Sequence, residues 1–423
     1  MLPWCISLNS TVAKGTVTMT KPEEVGLSSQ RLDRVRVHLQ RYIDAGKVAG
    51  TLTLVARHGQ IAYFEPQGHL ELDRVRPMQR DTIFRIYSMT KPITSVALMM
   101  LYEHGRFQLD DPVHKFIPAW QNLRVYVSGN HPMFVTKATE RPMTIRDLLS
   151  HTSGLTYGFM ERTNVDAAYR KLGIANMAEM GYTLQDMAGQ LAELPLEFSP
   201  GTRWNYSVST DVAGYLVELI SGQSFDAYLR DHIFEPLGMS DTNFVISDDR
   251  LPRLAHCYVL QPDGNPAILD APETSEYRQR SFWSGGGGLL STAQDYYRFT
   301  SMLLNRGELD GVRLLGRKTL ELMTKNHLPG GQDIMELAPP GMFSEVAYNG
   351  VGFGLGFSVM QDPTRAQVVG TPGEYAWGGL AGTAFWVDPA EDLIVIFMIQ
   401  LVPSSAYPLR RELRTLTYGA LID

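Results

Sequence analysis

Apolar residues recur along this chain with helical period in some stretches and in short extended runs in others, and the alternation predicts its organisation. Between residues 30 and 44 they fall at Leu32, Val35, Leu39, Tyr42 and Ile43, one side of an amphipathic helix. Two extended runs follow, Gly50 to Ala56 and Gln60 to Phe64, on either side of Arg57, His58 and Gly59, which predicts a hairpin. A second helix is expected from Ile93, Val96, Ala97, Met100 and Leu101, stopping at Gly105. This helix is too apolar to lie on a surface. From about 110 to 270 helical patterns outnumber strand patterns, and the segment reads as a helical insertion. Strand patterns return over 352–359, 383–387 and 393–398, with a turn at Asp388 to Asp392 between the last two. A final helix, around Leu409 to Leu421, would cover a sheet face. Strands at both ends with helices between them predict an α+β chain: one antiparallel sheet built from both termini and flanked by helices. The expected division is a disordered leader over 1–21, an α/β domain over 22–109 and 271–423, and a helical domain over 110–270.

Composition narrows the class of molecule. At 423 residues the chain can hold two sub-domains with a sizeable interior, and 44% hydrophobic with 20% charged residues is ordinary globular usage. A formal net charge of −7 argues against nucleic-acid or anionic-membrane partners. Of the two cysteines, Cys5 falls in the expected leader and Cys257 far from it, so no structural disulfide is expected and a reducing compartment is compatible. The first eight residues lack the basic and long apolar regions of a signal peptide, and the apolar run from Leu393 to Ile399 is too short to cross a bilayer. The expected location is the cytoplasm. Neither repeat nor low-complexity segment interrupts the chain, and the oligomeric state is left open.

Candidate chemistry begins at Ser88-Met89-Thr90-Lys91, which sets a hydroxyl and an amine three positions apart on one helical face. Pro92 is tolerated only near a helix start, so Ser88 belongs at or just before the first turn, beside backbone N–H groups that could receive an oxyanion. A lysine in a semi-buried pocket loses basicity and can take the serine proton. The tetrapeptide also occurs by chance on surfaces, but here an extended stretch, Asp81 to Tyr87, precedes it and an apolar helix follows. Ser199 to Ser207 is a turn-rich stretch leading into a helix, so Tyr206 projects from a loop. Near a lysine its pKa could fall and it could shuttle a proton between Ser88 and a leaving group; the alternative is a packing tyrosine with its hydroxyl bonded. The glycine-dense Tyr375 to Gly382 stretch either lets backbone approach a ligand, with one N–H completing an oxyanion hole beside that of Ser88, or is a bulged edge strand.

Other patterns lead nowhere catalytic. Gly285 to Gly288 has no Gly-Lys-Ser/Thr after it and reads as a tight approach before a Thr292-capped helix containing Asp295. There is no G-x-S-x-G string, and the ten histidines form no H-x-x-x-H pair, so neither a nucleophile elbow nor a metal centre is supported and no cofactor is expected. His151 reads as a loop-organising residue.

Taken in order, Ser88 to Lys91, Leu109 to Val113, Arg146 to Leu155, Pro200 to Ser207 and Gly286 to Thr292 give the chain a family likeness over residues 22 to 420. It resembles the class C β-lactamase and serine DD-peptidase superfamily, and within it most closely the family VIII carboxylesterases. The resemblance implies an α/β domain, an inserted helical domain and an active site in the cleft between them. It implies Ser88 as the acylated nucleophile, Lys91 and Tyr206 as its activating pair, and the backbone N–H groups of Ser88 and Leu380 as the oxyanion hole. The sequence departs from the β-lactamase pattern twice. Val208 stands where asparagine is usual, and Trp377-Gly378-Gly379 replaces lysine-threonine-glycine, so these four residues are the expected substrate-binding positions. The expected function is a carboxylesterase acting on short-chain small-molecule esters through an acyl-enzyme, with weak hydrolysis of β-lactams such as cephalosporins. Alternatives are an acyltransferase of the lovastatin type and a class C-like β-lactamase or penicillin-binding protein.

Overall fold

The computed structural model describes residues 18–338 and 348–423. Of the expected leader, residues 1–17, Cys5 among them, lie outside the described residues; Thr20 packs beside a strand, its N–H donating to the Ile61 carbonyl at 3.0 Å.

A seven-stranded antiparallel sheet carries the site. Its strands in chain order are β1 (Gly50–Arg57), β2 (Gln60–Gly68), β3 (Val351–Phe353), β4 (Ser358–Met360), β5 (Tyr375–Gly378), β6 (Ala384–Asp388) and β7 (Leu393–Met398). They are arranged β3-β4-β5-β6-β7-β1-β2, so the N-terminal hairpin closes onto the last C-terminal strand, with Leu52 opposite Met398. Every residue of β1 and β7 is buried, because helices cover both faces, and this is why their sequences run apolar instead of alternating. On one face lie α1 (Ser29–Asp44) and the C-terminal helix (Leu409–Tyr418), which bury Val35, Leu39, Leu409 and Leu413 against Val55, Val395 and Trp386. On the other lie α2 (Thr90–Glu103) and the helix Ala293–Leu304. Residues Thr90 to Leu101 of α2 are all buried, so it is a core helix; each of its large apolar side chains contributes about 1.5–3 kcal/mol by leaving water.

Two expectations about elements need correction, and one of two open readings falls away. The 352–359 stretch is two strands, because Gly356, at φ 98°, reverses the chain between them. The Tyr375 stretch is no bulged edge: β5 is paired on both sides, with β4 and with β6. The 110–270 segment also contains strands. Arg124–Asn130 pairs with Met133–Ala138, and Cys257–Leu260 pairs with Pro266–Asp270 and, in parallel, with Leu401–Val402. The last pairing joins this segment to the C-terminal part of the chain, a long-range contact that local periodicity does not encode. Among the described residues no helix is long and apolar enough to cross a membrane.

Candidate active site

The chain reaches Ser88 under tight control. Phe84–Arg85 pairs with Leu290–Ser291, and the Gln400 carboxamide bonds both backbone groups of Arg85, accepting at 3.1 Å and donating at 3.0 Å. Arg85 itself is buried with its guanidinium on the Asp270 carboxylate. Tyr87 then takes a left-handed φ of 41°, and a single 3₁₀ turn, Tyr87–Met89, feeds α2. A non-glycine residue at positive φ is costly, and it aims the half-buried Ser88 at the cavity from the positive end of the helix.

Lys91, 1% exposed, donates from Nζ to the Ser88 hydroxyl at 3.1 Å and to the Gly286 carbonyl at 2.6 Å. Burial brings its pKa down to about 7, against the pull of the Asp211 carboxylate, which favours the charged form. Near neutral pH a large share of Lys91 is therefore the free amine, able to accept the serine proton.

Tyr206 leaves its loop just before the helix Ser209–Ser221 and points its ring into an aromatic box of His151, Tyr157 and Trp377, with centroids 5.0, 5.2 and 5.4 Å away. Its hydroxyl accepts from Trp377 Nε1 at 3.3 Å and lies in hydrogen-bond contact with Ser88. The lowered pKa that a neighbouring lysine could give Tyr206 does not arise: burial of the phenolate dominates and pushes Tyr206 well above the usual tyrosine value. Tyr206 is a neutral phenol, fitted to relay or donate a proton. His151 serves its loop, as expected. It sits at φ 56°, its Nδ1 is 3.2 Å from Ser207 Oγ, and its carbonyl accepts from the Asn205 N–H at 2.9 Å, which docks the Tyr206 loop.

The end of β5 supplies the opposite wall. Trp377, Gly378, Gly379 and Leu380 line the same cavity as Ser88 and Tyr206, a space of about 440 Å³ whose outer wall includes Phe159 and Met177. Gly379 has to be glycine, because a Cβ there would lie 2.5 Å from the Ile86 carbonyl oxygen and 2.2 Å from Thr383 Oγ1. That close approach brings the Leu380 turn beside the Tyr87–Met89 turn. Val208 is a correction. It is fully buried at the head of its helix, its N–H donating to the Thr156 carbonyl at 3.2 Å, and it does not line the cavity.

Asp211 and Arg410 escaped the sequence reading, and so did the role of Gly286 toward Lys91. Asp211 is 1% exposed and accepts from Ser284 Oγ at 2.5 Å and the Gly286 N–H at 2.9 Å. Desolvation raises its pKa while Lys91 opposes the rise. An acidic residue in a first helical turn ordinarily signals only the helix dipole, so its burial was not legible. Gly286 offers its carbonyl to Lys91; a Cβ there would meet Asp211 Oδ2 at 2.5 Å and the Tyr157 hydroxyl at 2.7 Å. Arg410, far along the chain, lines the cavity and donates to the carbonyls of Gly379 and Thr383. A serine in hydrogen-bond contact with a buried amine and a neutral phenol can carry out acyl transfer through a covalent intermediate.

The antiparallel sheet with helices on both faces is a β-lactamase/DD-peptidase-like fold. Residues 35–418 match the family model described as Beta-lactamase, and the chain belongs to that family. Protein Rv1367c of Mycobacterium tuberculosis is 35% identical over 378 residues, covering 88% of this chain and 90% of that protein. Esterase EstB of Burkholderia gladioli is 30% identical over 394 residues, covering 88% of this chain and 91% of that protein. Among solved structures EstCE1, described as a hydrolase with promiscuous acyltransferase activity, superposes with a TM-score of 0.77 at 26% identity, over 92% of this chain and 99% of that one.

Proposed function

We propose that this protein is a serine carboxylesterase that hydrolyses short-chain carboxylic esters through an acyl-enzyme on Ser88, with slow hydrolysis of β-lactams such as cephalosporins. The observation that carries the reading is the buried Lys91 amine, 3.1 Å from the Ser88 hydroxyl and with its pKa brought down to about 7. Similarity to Esterase EstB and EstCE1 supports it.

In acylation the neutral Lys91 takes the Ser88 proton as Oγ bonds to the ester carbonyl carbon, and the displaced electron pair forms an oxyanion held by the Ser88 and Leu380 N–H groups. Collapse breaks the bond to the alcohol oxygen. The leaving alkoxide takes a proton from the Tyr206 hydroxyl, which is replenished by the Lys91 ammonium. Water then attacks the acyl-enzyme, its proton passes back along the same pair, and Ser88 leaves reprotonated with release of the acid. Trp377 offers an indole where a lysine would hold a substrate carboxylate, which favours neutral esters.

A second reading is supported by the description of EstCE1: an alcohol replaces water and the acyl group is transferred. The test is kcat/KM on one preparation for short p-nitrophenyl esters, acyl thioesters, penicillins and cephalosporins, with and without an alcohol acceptor. Ester turnover without acceptor is expected. Turnover confined to reactions with an acceptor would favour the transferase, and β-lactams outperforming every ester would overturn the esterase.

A further inference from the structure

Arg410 is the second residue of the C-terminal helix Leu409–Tyr418, more than 300 positions from Ser88, yet its guanidinium reaches the cavity wall. Nη2 donates to the Gly379 carbonyl at 2.6 Å and to the Thr383 carbonyl at 2.8 Å, while Nε reaches the Gly382 carbonyl at 3.4 Å. One cation thus gathers three carbonyls of the turn that follows β5. The Gly379 carbonyl belongs to the same peptide unit as the Leu380 N–H. A charge-assisted hydrogen bond on the carbonyl draws electron density through the amide, which makes its N–H a stronger donor, and it fixes the plane of the peptide. Glycine at 378 makes this contact fit, because a Cβ there would lie 2.6 Å from the guanidinium carbon. Glycine at 379 lets the same peptide come close to Ile86, two residues before Ser88. The adjoining glycines therefore serve two different approaches, one by the arginine and one by the nucleophile turn.

We propose that Arg410 is a positioning residue of the oxyanion site, which orients and polarises the Gly379–Leu380 peptide so that its N–H holds the negative oxygen formed when Ser88 is acylated. This rests on the reading of Ser88 as the acylated serine. The positive charge is exerted through the peptide that the guanidinium holds. It acts on the transition state, where the oxygen is charged, far more than on the bound neutral ester.

The test compares the parent with Arg410→Gln and Arg410→Lys on a p-nitrophenyl ester, with circular dichroism and melting curves to establish folding. Arg410→Gln should lower kcat by about tenfold or more with KM nearly unchanged, a weakened donor costing less than a deleted one. Arg410→Lys, which keeps the charge, should recover part of the loss. The variant should bind an alkyl boronic acid, a mimic of the tetrahedral oxyanion, correspondingly more weakly, while its pH–rate midpoint stays where the parent's is. A kcat within twofold of the parent, a loss confined to KM, or a moved midpoint with unchanged boronate affinity would overturn the proposal. So would melting of both variants below the assay temperature, which would make Arg410 a structural residue only. A parent that neither turns over esters nor reacts with a fluorophosphonate would be a failure of the Ser88 reading instead, recognisable before any variant is measured.

Discussion

The Lys91 ammonium nitrogen lies over the face of the Tyr206 ring, 4.4 Å from its centroid, while it donates to the Ser88 hydroxyl at 3.1 Å. The two residues expected to activate Ser88 therefore meet through an amine and a π face, with the phenol hydroxyl turned toward Ser88 and Trp377. A π face favours the charged lysine and burial disfavours it. Burial prevails here, and Lys91 is the group poised to change protonation near neutrality.

The rate should follow that ionisation. The base is the deprotonated form, so kcat/KM for a neutral ester should rise by about tenfold per pH unit on the acid side, bend near pH 7 and level off in mildly alkaline buffer. A profile of kcat/KM between acid and mildly alkaline pH checks this, and a flat one would remove Lys91 from the role of base. Lys91→Met should abolish the bend together with the activity.

Tyr206→Phe should lower kcat by about 10²-fold or more, the usual contribution of a positioned proton donor, without moving the midpoint near pH 7. Because burial keeps the phenol neutral throughout the working range, no alkaline limb in the profile should belong to it. Near-parental turnover by the phenylalanine variant would leave Tyr206 as part of the aromatic box alone.

A fluorophosphonate should add once per chain, at Ser88, since only an activated serine attacks phosphorus at a useful rate. Intact-mass measurement on the parent and on Ser88→Ala should show one adduct and none. Modification at a different residue would displace Ser88 from its role.

Trp377→Lys should shift the ratio of ester to cephalosporin kcat/KM toward the lactam, by supplying a cation for its carboxylate. Ester turnover should fall in the same variant, because the Nε1 bond to the Tyr206 hydroxyl is lost. An unchanged ratio would mean that position 377 does not choose the substrate.

Gly286→Ala tests the back of the site. Its methyl would press on Asp211 and Tyr157 and displace the carbonyl that anchors Lys91, so a loss of about 1–3 kcal/mol in chemical denaturation is expected, with impaired turnover.

By itself the sequence determined the elements with strong local periodicity: the helix after Ser28, the β1–β2 hairpin, the core helix after Ser88, the strand Leu393–Met398 and the final helix. It also determined the spacing of Ser88 and Lys91, because residues three apart on a helix share a face whatever surrounds them. Tertiary structure alone decided what those groups are chemically. Burial, a property of the whole assembly, lowers Lys91 and raises Tyr206, and no local pattern could give the second sign. It alone removed Val208 from the cavity wall by burying it, and split one apolar stretch into two strands at Gly356. It also brought Asp211, Gly286 and Arg410 to a serine that lies more than a hundred residues from each of them. Contacts of that range are set by which surfaces pack together once the sheet has closed from both ends, and hydrophobic period carries information only over the length of one element.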